Sequence, residues 1–186
     1  MSVLRDVLAR GLGVVFCGTA VGAASARRQA YYAGPGNAFW PTLFEVGLTP
    51  RLLQPAEYGS ITQYGLGLTD LAKTISGSDR VLRDEHFDRS GLRDKMLQYH
   101  PRVLAFTSKR AGEEFVGHPV AYGPLEETIG PTVLFVLPSP SGAARRYWSM
   151  HPWRELARLR HDADPSLAPD RQTLAPFGTR RADGGG

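Results

Sequence analysis

The chain has one cysteine, Cys17, among 186 residues. A single thiol cannot close an internal disulfide, and it excludes the Cys-rich ligand sets of structural zinc sites. Nor do the histidines, His86, His100, His118, His151 and His161, stand at metal-ligand spacing from one another or from Cys17. No metal or other cofactor is therefore expected. Long hydrophobic runs are lacking as well: no stretch of about 18 apolar residues occurs, so no membrane span is expected. The start, MSVLRDVLARGLGVVFCG, carries an early acidic residue and no signal-type cleavage pattern, which predicts a cytoplasmic protein. Lysine is scarce too, at 3 of the 22 basic residues, the other 19 being arginine.

What is present is an ordinary soluble composition, 42% hydrophobic and 22% charged, in a length suited to one domain with a sizeable core. The net charge of +4 favours a polyanionic partner, and the Arg fork suits phosphate. A GC-rich genome that favours Arg codons would give the same bias. Residues 162–186 are rich in Pro, Asp, Arg and Gly, without apolar periodicity, and read as a disordered or loosely packed tail. That leaves residues 1–161 as the folded domain, and the basic bias lies within it.

The body alternates two kinds of segment. Strands are predicted at residues 13–17 (GVVFC), 66–68, 102–107 (RVLAFT) and 132–137 (TVLFVL), short runs rich in β-branched and aromatic residues. Helices are predicted at residues 3–10, from an Asn37 cap through Val46, and at 56–64, 87–99, 109–115 and 153–160. Strands apolar on both faces and separated by helices imply a three-layer α/β/α domain around a mostly parallel sheet. Ligands of such sheets sit beyond the carboxyl ends of the strands. Two connections there carry unusual chemistry, residues 18–36 after the first strand and 138–146 after the last.

Gly18-Thr19-Ala20-Val21-Gly22 follows a strand but lacks the Gly-Lys-Ser/Thr ending of a P-loop and the spacing of a dinucleotide fingerprint. Read alone, it is a tight strand-to-loop turn. Arg27-Arg28 and Tyr31-Tyr32 nearby could hold phosphates and stack a base, or pack at a core rim. The run Pro138 to Arg146 (PSPSGAARR) is a rigid, small-residue loop ending in two arginines, able to enter a groove or simply to turn in solvent. The acid pairs Asp84-Glu85, Glu113-Glu114 and Glu126-Glu127 read as solvated faces.

Taken together, these motifs resemble the mismatch-specific uracil/thymine DNA glycosylase family, within the uracil-DNA glycosylase superfamily, over nearly the whole body. The family's Phe-Cys-Gly-Ile-Asn-Pro-Gly is similar to Phe16-Cys17-Gly18-Thr19-Ala20-Val21-Gly22. Its Pro-Gly-Asn-x-Phe-Trp matches Pro35-Gly36-Asn37-Ala38-Phe39-Trp40, and its Gly-x-Thr-x-Leu matches Gly67-Leu68-Thr69-Asp70-Leu71. Its Leu-Pro-Asn-Pro-Ser-Gly-x-x-Arg matches Leu137-Pro138-Ser139-Pro140-Ser141-Gly142-Ala143-Ala144-Arg145. The resemblance implies hydrolysis of the N-glycosidic bond of uracil, or another deaminated or damaged base, flipped out of DNA. The implied partner is DNA containing uracil or mismatches, met by a monomer, at the nucleoid if the source is bacterial. It also implies that Tyr32 stacks the base, that backbone groups of Thr19 and Tyr32 read its edge, and that Ala24 and Ser25 line the floor. Ala20, Asn37 and Ser139 complete the implied base-binding set. Ser141, Gly142, Ala143, Ala144, Arg145 and Arg146 form the implied DNA-contacting wedge.

Two positions depart from the family pattern. Ala20 stands where Asn or Asp is usual, and a methyl group can neither place water nor support a developing cation. Ser139 replaces Asn but keeps a hydrogen-bonding group. Ala143 is also smaller than usual for a wedge. Catalysis would then need another polar group near C1′, and Gln63, Asp70 and Lys73 are the candidates. Asp70 is the expected catalytic residue, since cleavage through a cation-like transition state wants a carboxylate. Gln63 is the alternative, orienting water without charge, and Asp70 could instead cap a helix. A catalytically silent module that binds damaged or abasic DNA is the competing function.

Overall fold

The apolar runs form the middle of a five-stranded sheet in the computed structural model, which describes residues 2–77 and 81–163. The strands are β1 (Val14–Val21), β2 (Leu66–Ser76), β3 (Val103–Phe106), β4 (Gly123–Ile129) and β5 (Thr132–Val136). Their order is β2-β1-β3-β5-β4, with only β4 antiparallel to its neighbour. Strands apolar on both faces demand cover on both. On one face α2 (Phe39–Glu45) and α5 (His151–Ala163) supply Phe39, Leu43, Trp153 and Leu156, packed on Phe16, Leu68, Ala105 and Phe135. On the other, α3 (Arg89–Tyr99) and α4 (Lys109–Val116) supply Leu92, Met96, Ala111 and Phe115 against Val15, Cys17, Leu104 and Val136. The short α1 (Ala23–Arg28) follows β1. The three-layer α/β/α expectation therefore holds, and Cys17 is a buried strand residue as read.

Several local expectations are corrected. Residues 3–10 are not a helix. Val7 pairs antiparallel with Leu68, and the Val3 N–H donates to the Lys73 carbonyl at 2.8 Å, so this segment straps the outer edge of β2. Val3 and Val7 share a face at either a helical or an extended period, so their spacing could not decide between the two, while an open sheet edge rewards pairing. β1 runs on through Val21 and β2 through Ser76, well past the predicted ends. Gly18 to Val21 is thus strand rather than turn, and Asp70 sits within a strand and caps no helix. Residues Pro55–Tyr64 wind as a 3-10 helix, as does Gly142–Tyr147 at the end of the second connection. The helix after Asn37 is capped at Ala38, with the Asn37 Oδ1 accepting from the Phe39 N–H at 2.9 Å. β4 was not anticipated, because its Pro124, Glu126 and Glu127 face solvent on an edge strand and mask the pattern. Past residue 163 the expected tail lies outside the described residues.

Candidate active site

In this strand order β1 has β2 on one side and β3 on the other, the kind of switch point where the connections leaving the strands diverge and open a crevice. A cleft of about 740 Å³ lies there. Its floor is the end of β1, from Gly18 to Val21, and its walls come from the loop after α1, the end of β3 and the loop after β5. A volume in this range suits a small organic ligand such as one nucleobase with part of its sugar.

Asp70 reaches this cleft from β2 because parallel pairing sets it beside Gly18. The fit is close: a Cβ on Gly18 would lie 2.6 Å from Asp70 Oδ1, so only glycine leaves room for the carboxylate. Asp70 is 4% exposed. Burial pushes its carboxyl up to about 6, while the Lys73 ammonium and the Tyr31 hydroxyl draw it back and Asp6 adds to the rise. Its Oδ2 is buried with no hydrogen-bond partner among the described residues. A buried carboxylate with incomplete compensation, opening on a cleft, has the features of a functional group.

Tyr32 forms a flat wall. Its ring stacks on Phe39 at 3.8 Å between centroids and 17° between planes, and its hydroxyl is 3.2 Å from Thr107 Oγ1. Phe39 is itself held edge-on by Phe16 and Trp40, each at 5.1 Å, so the Tyr32 ring is backed by a rigid aromatic cluster. The Tyr32 backbone has φ 52°, a left-handed conformation that costs a non-glycine residue about 1–2 kcal/mol. The loop around it absorbs that cost. Ser25 Oγ accepts from the Ala33 N–H at 3.0 Å, Arg28 donates to the Ala33 carbonyl at 2.7 Å, and Trp40 Nε1 donates to the Tyr31 carbonyl at 3.0 Å.

The opposite rim is the loop after β5. The Ala38 N–H donates to the Pro140 carbonyl at 2.8 Å, tying this loop to the segment before α2. Gly142 lies against that segment so closely that a Cβ would stand 2.8 Å from the Pro35 carbonyl oxygen. Ser139 Oγ accepts from the Ser141 N–H at 3.3 Å, and Ser141 Oγ caps the following 3-10 turn through the Ala143 N–H. Arg145 and Arg146 project from that turn and are exposed.

The structure thus brings Thr19, Ala20, Ser25, Tyr32, Asn37, Asp70, Ser139, Ser141, Gly142, Ala143 and Ala144 to one cleft. Arg145 and Arg146 flank it, on the turn that carries Ala143 and Ala144. It does not bring Gln63 there: that side chain is exposed on the 3-10 helix before β2, at the end of the strand opposite the cleft. Thr107, Ser108 and Tyr147 line the cleft without having been singled out. Thr107 and Ser108 stand at the carboxyl end of β3, a position that pointed to them in principle. Ser108 Oγ caps α4 through the Ala111 N–H and lies 3.2 Å from Thr19 Oγ1. Tyr147 is 69% exposed at the rim, and nothing in its local sequence marked it.

Comparison with known proteins agrees with this architecture. Residues 6–161 match the family model described as Uracil DNA glycosylase superfamily. Among solved structures, the chain is similar to the solution NMR structure of a candidate uracil DNA glycosylase from Methanosarcina acetivorans. The TM-score is 0.57 at 24% identity, over 85% of this chain and 95% of that one. At that identity the likeness concerns the fold.

Proposed function

The chain belongs to the uracil DNA glycosylase superfamily, and on that premise we propose that it is a DNA repair enzyme of the mismatch-specific uracil/thymine type. It hydrolyses the N-glycosidic bond of uracil, or of another deaminated or damaged base, flipped out of DNA, and leaves an abasic site. The observation that carries this reading is Asp70, a buried carboxylate opening on a cleft that the Tyr32 ring also lines.

The chemistry follows from that placement. A flipped base stacks on the open face of Tyr32, whose other face is already held by Phe39. As the bond to the base lengthens, positive charge grows on the sugar, and the Asp70 carboxylate stabilises it in a site of low dielectric. Asp70 also orients a water molecule whose oxygen bonds to C1′ and whose proton passes to the carboxylate, while the electron pair of the broken bond leaves with the base. The carboxylate must be ionised for both tasks, so activity falls as pH drops through about 6. Ala20 adds no polar group, and Ser139 is the hydrogen-bonding side chain on the far rim. Arg145 and Arg146, exposed on the turn that flanks the cleft, supply phosphate contacts, as can the exposed Arg27 and Arg28 at the end of α1.

A uracil-containing duplex treated with the protein and then with alkali tests the proposal. Strand breaks are expected with wild type and are expected to be lost in Asp70→Asn. A second reading, a silent module that binds damaged or abasic DNA, draws on Ala20, which lacks the usual polar group. Tight binding without breaks above a buffer blank would select it.

A further inference from the structure

Lys73 lies three residues beyond Asp70 on β2 and is largely buried. Its ammonium has three polar neighbours. Asp6 Oδ1 is at 2.7 Å, the Tyr31 hydroxyl at 3.0 Å and Asp70 Oδ2 at 3.7 Å. The first two are hydrogen bonds; the third is too long for one. The ammonium also lies 5.7 Å from the Tyr31 ring centroid. Asp6 in turn is fixed from three sides, by Lys73, by Thr69 Oγ1 at 2.8 Å and by Lys95 Nζ of α3 at 2.7 Å. It comes from the amino-terminal strap, which is paired to the β2 edge at Val3 and Val7.

We propose that Lys73 is a positioning residue for Asp70. Asp6 holds it close enough to compensate the carboxylate's charge and too far away to hydrogen-bond it. This inference rests on the glycosylase reading. A hydrogen-bonded ion pair would quench Asp70, because a carboxylate bound directly to an ammonium is a poorer base and a weaker partner for a cationic transition state. With no cation nearby, the buried carboxyl would stay protonated at neutral pH. The Asp6 clamp places Lys73 between these limits. The amino-terminal strap thereby belongs to the site, although no strap residue lines the cleft.

The groups that face Asp70 are few. Cys17 on β1 and the Tyr31 and Tyr32 hydroxyls are all pushed up by burial and stay neutral near pH 6. The charged neighbours are Lys73 and, behind it, Asp6 and Lys95. Removing each one therefore has a definite sign. Lys73→Met deletes the cation nearest Asp70, and the acid limb of the kcat/KM profile moves to higher pH by roughly one unit. Asp6→Asn deletes an anion and frees Lys73 toward Asp70, so the limb moves to lower pH. Lys73→Arg keeps the charge and holds the limb near its wild-type position.

The test is the pH profile of uracil release by the full chain and these three variants, each checked for folding by circular dichroism. Carbon-13 titration of the Asp70 carboxyl is followed in parallel. Opposite limb shifts in Lys73→Met and Asp6→Asn support the proposal. Limbs that coincide in all four proteins, with only the rate reduced, overturn it. If Lys73→Met does not fold, Asp6→Asn decides: a downward shift supports the proposal, and no shift or an upward one overturns it. A wild type that never releases uracil defeats the glycosylase reading instead. The carboxyl titration then tests the Lys73–Asp70 coupling on its own, by the same pair of signs.

Discussion

Replacing Asp70 by Asn should make the protein more stable at neutral pH while abolishing its activity. The carboxyl ionises near 3.8 in an unfolded chain and near 6 in the folded one, because burial penalises the charge. Between those values the folded state holds a proton that the unfolded state has released. The stabilising contribution of Asp70 is therefore complete below about pH 4 and is lost as pH rises through 6. Roughly two units correspond to about 3 kcal/mol. The amide of Asp70→Asn would keep the shape and carry no charge, so the variant would not suffer that loss. Lys73 is not stranded by the change, since Asp6 at 2.7 Å is its nearer partner. Urea unfolding of both proteins, followed by far-ultraviolet circular dichroism from pH 4 to pH 8, measures the gap. It is expected near zero at the acid end and about 3 kcal/mol in favour of the variant at the alkaline end. A variant less stable at pH 8, or a gap that ignores pH, would refute the view that Asp70 is a carboxylate held ionised at the expense of the fold.

Three further outcomes follow from the site's geometry. Gly18→Ala would put a Cβ 2.6 Å from Asp70 Oδ1 and displace the carboxylate, so kcat is expected to fall about 100-fold with DNA binding nearly intact, read by steady-state kinetics beside a binding titration. Tyr32→Ala removes the stacking wall and should weaken the specific complex by about 1–3 kcal/mol, whereas Tyr32→Phe keeps the ring, gives up only the hydrogen bond to Thr107 and should bind nearly as wild type in the same titration. Arg145→Ala with Arg146→Ala should flatten the dependence of log affinity on log salt by about 0.9 for each phosphate no longer neutralised, and an unchanged slope would remove this turn from the DNA interface.

Much of this arrangement could be read before folding, and the parts that could not share a physical cause. VVFC, VLAF and TVLFV are apolar on both faces, which pointed to a parallel sheet covered by helices, and their order put the ligand loops at one end. Asp70 stood out as the carboxylate of a matched motif. Its context was hidden, because Thr69, Asp70 and Lys73 do not together make a strand-forming run and become strand only through pairing with β1. The helix expected at residues 3–10 failed for the same reason: a sheet edge elsewhere in the chain decided its conformation. Gln63 seemed near Asp70 in sequence, yet the rise of β2 separates them along the strand. Thr107 and Ser108 were missed because a hydroxyl at a strand end carries no pattern of its own.

The missing polar group at position 20 and the glycine at position 18 belong to one arrangement. β1 and β2 pair with Gly18 opposite Asp70 and Ala20 opposite Ala72, so at these two paired positions the one carboxylate is set among small residues. A larger side chain at position 18 would push that carboxylate aside, and Ala20 leaves open the cleft beside it. On the proposed reading, the charge that acts on the sugar has moved from the strand that forms the floor to its neighbour. The move has structural requirements: a glycine facing the carboxylate, a cation held at a fixed remove, and an amino-terminal strap to hold that cation. Gly18, Lys73 and Asp6 meet these three requirements, and each lies on a different segment of the chain. On that reading the catalytic unit is a property of the β1–β2–strap corner of the fold rather than of any one motif.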